Sequence, residues 1–178
     1  MELVTLLRED GTELGSAPKQ DVHTASTPLH LAFSCYLVNE HGQLLLTRRA
    51  LTKRTWPGVW TNSFCGHPAP GEDTEDAIRR RAEQELGTRV AALRVVLPEY
   101  RYRAVDASGI VENEICPVFV ARIDAVLRPE PAEVAEHAWV DVEDAAHAVR
   151  SAPFAFSPWL REQLPLLVQA NGFPPCPS

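Results

Sequence analysis

The order of strand-like and helix-like segments is the feature that most limits how this chain can fold. LAFSCYLV and QLLLTRR are typical of strands joined by a turn at NEHG, and VWTNSFCG has the character of a further short strand. ALRVVLPEYRYRA and GIVENEICPVFVARI predict one long hairpin around VDASG, because both are rich in β-branched and aromatic residues. Helices are predicted at 75–86, about 142–149 and about 158–170. Strands interleaved with helices predict an α/β or α+β sandwich.

Length and charge limit the number of domains and the class of partner. A chain of 178 residues suits one domain with a buried core, so we expect a single domain over 1–178 with a loose tail at 172–178. The net charge of −7 makes nucleic acid and anionic membranes unsuitable partners. A phosphate-bearing ligand must therefore meet a local cluster of cations. We expect a monomer, because no long apolar stripe is left over.

Cysteine usage and the N-terminal sequence predict a reducing, cytoplasmic location. The four cysteines show no paired spacing, and MELVTLLRED carries acidic and basic residues where a signal peptide needs a long apolar run. No window approaches the roughly 20 apolar residues that cross a bilayer.

The helix at 75–86 carries charge on its apolar face. Asp73 or Thr74 can cap it, and Gly87 ends it. At about 100° per residue, Arg81 and Glu85 fall within the apolar arc. One interpretation is an ion pair at the edge of that face, which contributes about 0.3 kcal/mol. The other is a functional pair that faces a site.

Two glutamates in GIVENEICP share one face of a predicted strand. Glu112 and Glu114 are two residues apart, and Cys116 and Val118 continue the same face. The simpler interpretation is an exposed polar face. If the two carboxylates are buried, they repel each other unless one is protonated or a cation lies between them. A metal ion would supply that cation.

Three histidines and one cysteine complete the set of candidates. His23, His30 and His67 are each as compatible with surface or capping roles as with metal binding, but together with two carboxylates they form a mixed N/O set that suits Mn²⁺, Mg²⁺ or Zn²⁺. Cys65 is either an inert packed residue or a reactive one. Its place between a strand end and a helix start favours a thiolate.

The segment from Gly66 to Thr88 resembles the Nudix box. Gly66-x5-Glu72-x7-Arg80-Arg81-Ala82-x-Gln84-Glu85-Leu86-Gly87-Thr88 follows the pattern G-x5-E-x7-R-E-U-x-E-E-x-G-U. It departs at Arg81 and Gln84, where the box has glutamates that hold the catalytic metals of Nudix hydrolases. Hydrolysis of a diphosphate is therefore doubtful for this chain, whereas binding of a diphosphate is not.

A larger part of the chain, about 19–159, resembles the type 1 isopentenyl-diphosphate Δ-isomerases. The resemblance rests on HTAS, LHLAFS, LLLTRRA, WPGVWTNSFCGHP, RYRA, GIVENEICPVF and FAFSPW in that order. It implies a single Nudix-type α/β/α sandwich with a mixed sheet. It also implies an isomerase of isoprenoid biosynthesis that interconverts isopentenyl diphosphate and dimethylallyl diphosphate and uses no flavin.

The resemblance also implies a role for each residue that matches the family's site. It places metal ligands at His23, His30, His67, Glu112 and Glu114, for Mn²⁺, Zn²⁺ or Mg²⁺. It places a Mg²⁺ shared with the diphosphate at Glu85 and the Cys65 carbonyl, and diphosphate-binding cations at Lys19, Arg49, Lys53 and Arg81. The reaction is assigned to Cys65 and Glu114, with Tyr102 assisting Glu114 and Trp159 lying against the prenyl tail. Residues 1–30 are expected to close over the site once metal is bound.

The mechanism implied by the resemblance moves protons across a three-carbon unit. Glu114, assisted by Tyr102, is predicted to protonate the alkene in the forward direction, and Cys65 to remove the second proton. Two alternatives stay open: a Nudix hydrolase of a nucleotide or prenyl diphosphate, and a metal-dependent diphosphate-binding module without catalysis. The presence of both Cys65 and Glu114 argues against the second.

Overall fold

A computed structural model describes residues 2–174, so Cys176 and the part of the predicted loose tail beyond residue 174 lie outside the described residues. The elements are β1 (Leu3–Leu7), β2 (Glu13–Pro18), α1 (Lys19–Val22), β3 (His30–Leu31), β4 (Phe33–Val38), β5 (Leu44–Arg49), β6 (Trp60–Thr61), β7 (Phe64–Gly66), α2 (Thr74–Leu86), β8 (Val90–Leu97), β9 (Arg101–Val105), β10 (Val111–Ile115), β11 (Val118–Ile123), β12 (Val134–Val140), α3 (Val142–Ser151), a 3-10 turn (Pro153–Ala155) and α4 (Pro158–Gln169).

The strands form two mixed sheets. The first has the order β2-β1-β3-β10-β9, and the second has the order β12-β5-β4-β11-β8, with β6 paired to β5 and β7 to β4. The pairs β3–β10 and β4–β11 are parallel, and the others are antiparallel. The predicted α+β class with a mixed sheet is confirmed.

The predicted long hairpin is wrong, because each of its strands divides between the two sheets. Arg101–Val105 and Val111–Ile115 do pair around the predicted turn. Their continuations, β8 and β11, pair with each other in the second sheet. Pro98 and Pro117 lie at the two breaks, where a residue without an N–H group cannot continue a ladder. The single strand predicted at VWTNSFCG likewise divides, into β6 and β7.

The second sheet is covered on both faces. Phe33, Cys35 and Leu37 of β4 pack in one cluster with Ile78 and Leu86 of α2. The intervening Tyr36 packs in a second cluster with residues of α3 and α4, which include Ala145, Leu160 and Leu164. The alternation of side chains along a strand sends successive residues to opposite faces, so β4 is buried throughout. This is the predicted α/β/α layering.

Local signals place the helix that carries the Nudix-box residues. The Asp73 carboxylate accepts a hydrogen bond from the Glu75 N–H at 2.8 Å, and α2 ends at Gly87, which has a φ of 56°. A Cβ atom at Gly87 would lie 2.4 Å from the Arg128 carbonyl oxygen, so glycine is required there. Across residues 2–174, no helix combines the length and apolar character needed to cross a membrane.

Candidate active site

A cavity of about 620 Å³ gathers almost all the residues that the sequence singled out. Twelve of the thirteen predicted site residues line it: Lys19, His23, Arg49, Lys53, Cys65, His67, Arg81, Glu85, Tyr102, Glu112, Glu114 and Trp159. The thirteenth, His30, is fully buried, with its ring centroid 5.1 Å from that of His67. Cys65 and Glu114 therefore open into the same cavity.

Four side chains converge at one side of the cavity. The potential ligand atoms of His23, His30, His67 and Glu114 all lie within 4.8 Å of one another. His23 follows α1, His67 follows β7, and the parallel pairing of β3 with β10 places His30 opposite Glu114. The Glu114 Oε1 atom is 3.2 Å from His67 Nε2 and 3.5 Å from His30 Nε2. Segments far apart in sequence thus supply one N/O cluster.

Glu112 lies beside this cluster without belonging to it. Both glutamates are buried, with exposed fractions of 7% for Glu112 and 6% for Glu114, so the exposed polar face considered as an alternative is wrong. Glu112 Oε2 is 2.9 Å from His23 Nε2. Glu112 is therefore adjacent to a histidine of the cluster.

The cluster fits a divalent metal ion. Among the described residues, the buried side-chain atoms that lack a hydrogen-bond partner are His30 Nε2, His67 Nδ1 and Glu112 Oε2. Leaving such atoms unpaired is costly unless something else satisfies them. Imidazole nitrogens and carboxylate oxygens are ligands that Mn²⁺, Zn²⁺ and Mg²⁺ accept. The donor set and its unpaired atoms together indicate a metal site.

The protonation of Glu114 and His67 suits a metal, whereas at His30 the effect of burial is outweighed by Glu114, which raises the pKa of that imidazole. Burial opposes a charge on Glu114, but its contacts with the His30 and His67 imidazoles hold the pKa of its carboxyl well below the usual value. Burial lowers the pKa of His67 to about 4, despite its contact with Glu114. An ionised carboxylate beside a neutral imidazole is the protonation state that a metal requires.

Burial of Cys65 opposes the thiolate that its place in the sequence led us to expect. Burial raises the pKa of Cys65 to about 12, which outweighs the hydrogen bonds with Ser34 and Asn62. The helix that was expected to favour the thiolate begins only at Thr74, nine residues along the chain. The Cys65 Sγ atom donates to Asn62 Oδ1 at 3.3 Å and lies 3.4 Å from Ser34 Oγ.

Asn62 connects Cys65 to Trp159, and sequence reasoning missed it although it lies in the quoted motif. Its Nδ2 group donates to the carbonyl oxygens of Cys35 and Phe64, which fixes the amide so that Oδ1 faces the other way. That oxygen accepts from Cys65 Sγ and from Trp159 Nε1, the latter at 2.8 Å. One fully buried amide therefore positions both the thiol and the indole.

Aromatic rings form another wall of the cavity. Tyr102 lies opposite Glu114 in the β9–β10 pairing, and its ring centroid is 5.9 Å from that of Trp159. Burial raises the pKa of Tyr102 well above its usual value, so its phenol is neutral. The Arg49 guanidinium carbon lies 5.5 Å from the Trp159 ring centroid. This wall combines aromatic surface with the Tyr102 side chain, the cross-strand neighbour of Glu114.

The four predicted diphosphate-binding cations line the same cavity, and carboxylates accompany three of them. Lys19 Nζ is 3.1 Å from Glu2 Oε2, and Lys53 contacts the Glu133 carboxylate. The Arg81–Glu85 pair does form, with Arg81 Nε donating to Glu85 Oε1 at 3.0 Å, but it faces the cavity instead of solvent. Nothing in the sequence indicated Glu2 or Glu133.

Of the two departures from the Nudix box, Arg81 lies in this cavity, whereas Gln84 is exposed and lies outside the cavity lining. Arg81 occupies one position, and at the other the Gln84 amide oxygen accepts from Arg80 and Arg81 at 3.3 Å. The retained box residues Glu72 and Arg80 form a paired contact at 2.7 Å. The box therefore keeps its structural pairing and loses two of its acidic groups.

Comparison with known proteins assigns the family. The profile of the NUDIX domain matches residues 28–164. The protein named isopentenyl-diphosphate Delta-isomerase from Paenarthrobacter aurescens is 61% identical, over 97% of this chain and 94% of that protein. The protein of the same name from Kocuria rhizophila is 59% identical, over 96% of each chain.

Solved structures were compared as well. A structure from Deinococcus radiodurans superposes with a TM-score of 0.72 at 21% identity, covering 92% of this chain and 98% of that one. A MutT NUDIX hydrolase from Burkholderia pseudomallei gives a TM-score of 0.61 at 22% identity, over 78% and 98%. The structures share the fold.

Proposed function

The chain belongs to the Nudix family and, within it, to the isopentenyl-diphosphate Delta-isomerases, and from that membership we propose that it interconverts isopentenyl diphosphate and dimethylallyl diphosphate. The observation that carries this proposal is that a thiol, Cys65, and a buried carboxylate, Glu114, line one cavity whose wall also holds four cations. A cavity with acid–base groups and cations suits a substrate with an alkene and a diphosphate.

The chemistry requires two proton transfers at opposite ends of a three-carbon unit. A proton added to the terminal CH₂ of isopentenyl diphosphate leaves a tertiary cation, and loss of a proton from the carbon nearer the diphosphate forms the new double bond. The alkene is a very weak base, and the cation reacts with water, so the site must be dry as well as acidic. The Tyr102–Trp159 wall supplies apolar surface, and a ring face stabilises a desolvated cation by about 2 kcal/mol.

Cys65 and Glu114 are proposed as the pair that exchanges these protons. Burial raises the pKa of Cys65, and contacts with His30 and His67 outweigh burial to lower the pKa of Glu114, so the proton of the pair is favoured on the thiol before substrate binds. The predicted forward direction, with Glu114 and Tyr102 as the acid and Cys65 as the base, requires the proton to lie on the Glu114 side when isopentenyl diphosphate binds. Each group is an acid in one direction and a base in the other, so the proposal concerns the pair.

The metal is proposed to hold the buried carboxylates in place, and the cations are proposed to hold the diphosphate. A divalent ion held by His23, His30, His67, Glu112 and Glu114 would supply the charge that keeps the two buried carboxylates in place. Mn²⁺, Zn²⁺ and Mg²⁺ suit this set. The proposed diphosphate-binding residues are Lys19, Arg49, Lys53 and Arg81, with a Mg²⁺ at Glu85 and the Cys65 carbonyl. An allylic diphosphate ionises readily, so these residues must keep the leaving group bound.

We further propose a single-domain, monomeric, cytoplasmic enzyme with no flavin. The described cysteines, Cys35, Cys65 and Cys116, are free thiols, which suits a reducing compartment. The net charge of −7 does not suit nucleic acid or anionic membranes as partners.

Product analysis tests the proposed function against hydrolysis. Purified protein incubated with isopentenyl diphosphate, Mg²⁺ and Mn²⁺ is expected to form dimethylallyl diphosphate and release no phosphate, because Arg81 and Gln84 replace two metal-binding carboxylates of the Nudix box. Phosphorus NMR distinguishes the intact diphosphate from hydrolysis products. Release of phosphate or pyrophosphate without dimethylallyl diphosphate would refute the isomerase assignment.

Metal removal is expected to loosen the segment that precedes β3. His23 reaches the cluster from the end of α1, and we propose that residues 1–30 close over the site when the metal is bound. Chelation should abolish activity and speed tryptic cleavage after Lys19 several-fold, while cleavage after Arg150 at the exposed end of α3 stays unchanged. Full activity of metal-free protein would contradict this prediction.

A further inference from the structure

Thr55, in the segment between β5 and β6, contacts both a proposed metal ligand and a proposed diphosphate-binding cation. It is buried, with 6% of its surface exposed. Its Oγ1 atom donates to Glu112 Oε1 at 3.1 Å and accepts from Arg49 Nη2 at 3.3 Å. Its carbonyl oxygen accepts from Arg49 Nε at 3.1 Å and from Nη2 at 2.9 Å. One residue thus touches both groups.

The direction of this hydrogen-bond chain is determined by chemistry. A guanidinium has only donors, an ionised carboxylate has only acceptors, and a hydroxyl has one hydrogen to give. The order must therefore be Arg49 to Thr55 to Glu112. A hydroxyl that accepts from a charged donor becomes a stronger donor itself, because successive hydrogen bonds polarise one another. The Glu112 carboxylate is the final acceptor in this series of hydrogen bonds.

For Glu112, the contact decides which oxygen remains for a metal. Oε1 is occupied by Thr55, whereas Oε2 has no hydrogen-bond partner among the described residues and lies 2.9 Å from His23 Nε2. A carboxylate with one oxygen held in this way presents the other oxygen in a fixed direction. Thr55 therefore aims Glu112 towards the histidine cluster.

For Arg49, the same residue sets the position of the guanidinium. Two of its nitrogens, Nε and Nη2, donate to the Thr55 carbonyl, and this holds the group 5.5 Å from the centroid of Trp159. Within residues 2–174, Nη1 of Arg49 donates no hydrogen bond and is left for a further acceptor. Arg49 is thus presented to the cavity in one orientation.

We propose that Thr55 is a positioning residue that joins the metal-binding set to the diphosphate-binding cations. The inference rests on the proposed roles of Glu112 and Arg49. Thr55 neither binds metal nor touches the reacting carbons; it acts through its two partners. Because its hydroxyl is shared, a change at Arg49 alters how firmly Glu112 is held.

The role of Thr55 in metal binding can be tested without any substrate. The EPR signal of free Mn²⁺ measures how much Mn²⁺ the purified protein binds. Thr55→Val keeps the shape and removes the hydroxyl, and we expect Mn²⁺ affinity to fall about tenfold or more. Thr55→Ser restores the hydroxyl and should bind within about threefold of wild type. Thr88→Val is the matched control, since Thr88 is also buried and donates to the Ala125 carbonyl at 2.9 Å, outside the cavity lining.

A double-mutant cycle tests the link itself. Arg49→Gln changes the charge near the metal and the bonds to the Thr55 carbonyl in both backgrounds, so these effects cancel in the cycle. We expect the effect of Arg49→Gln on Mn²⁺ affinity to differ by about threefold or more between the wild-type and Thr55→Val backgrounds. Additive effects would overturn the link, and wild-type affinity in Thr55→Val would overturn the positioning role.

Failure of the proposed function and failure of the Thr55 inference give different experimental results. If wild-type protein binds no Mn²⁺, the metal site is wrong, and this inference falls with it. If wild type binds Mn²⁺ and forms dimethylallyl diphosphate while Thr55→Val binds equally well, only the role of Thr55 is refuted.

Discussion

Glu114→Gln is expected to abolish isomerisation and to weaken metal binding at the same time. The carboxylate belongs to the four-residue cluster and lies beside Tyr102 in the β9–β10 pairing. An amide keeps the size of the side chain but cannot carry the negative charge that the cluster requires, and it cannot exchange a proton. Loss of an acid–base group costs about 10²–10⁴ in rate, and loss of the metal adds to it. Both turnover and bound Mn²⁺ per protein should be measured.

A matched control separates this effect from a general loss of negative charge. Glu143→Gln changes the same kind of side chain at the exposed first turn of α3, and we expect unchanged turnover and metal content. Thermal unfolding in the presence of chelator should show that the Glu114→Gln protein still folds. Substantial turnover in the Glu114→Gln protein at saturating metal would remove Glu114 from the proton-exchanging pair.

Cys65→Ala is expected to abolish isomerisation while leaving the metal site intact. The substitution removes the thiol that lies 3.3 Å from Asn62 Oδ1, and no other described cysteine lines the cavity. We expect a loss of about 10³-fold or more in kcat, in the range found for a missing acid–base group. The metal-binding side chains are untouched, so Mn²⁺ content should equal that of wild type. Deuterium incorporation into the substrate from D₂O gives a second measurement of proton exchange.

Cys116→Ala provides the comparison, because Cys116 Sγ also lies 3.4 Å from Ser34 Oγ but is buried away from the cavity lining. The Cys116→Ala protein should retain most of its activity, and its free energy of unfolding should fall only modestly through loss of the thiol. Equal loss of turnover in both cysteine variants would indicate that packing around Ser34 matters and that Cys65 has no special role. Turnover near wild type in Cys65→Ala would exclude the thiol from the reaction.

Local periodicity made several features of the site predictable. The spacing of Arg81 and Glu85 on a 3.6-residue helix puts both on the buried face of α2, and both are buried there. The two-residue period of a strand puts Glu112 and Glu114 on one face, and both are buried together. The ends of α2, at Asp73 and Gly87, follow from capping chemistry that operates within one turn.

The tertiary structure alone decided what these residues meet. The meeting of His23, His30 and His67 depends on how α1, β3 and β7 are arranged around the cavity, which the resemblance implied but no spacing in the chain specifies. Pro98 and Pro117 mark where the predicted long hairpin divides, but only the fold shows that each strand leaves one sheet there and enters the other.

Sequence therefore determined the face on which each candidate side chain lies, because helix and strand periods are set by backbone geometry over a few residues. The fold determined which residues each of these side chains contacts. For this reason the roles of Asn62, Thr55 and Glu133 were identified only from the structure. Asn62 bonds to Cys35 and Trp159, which lie 27 and 97 residues away, and Thr55 bonds to Glu112, 57 residues away. Contacts over such separations depend on the packing of two sheets and their helices, and no local pattern records that packing.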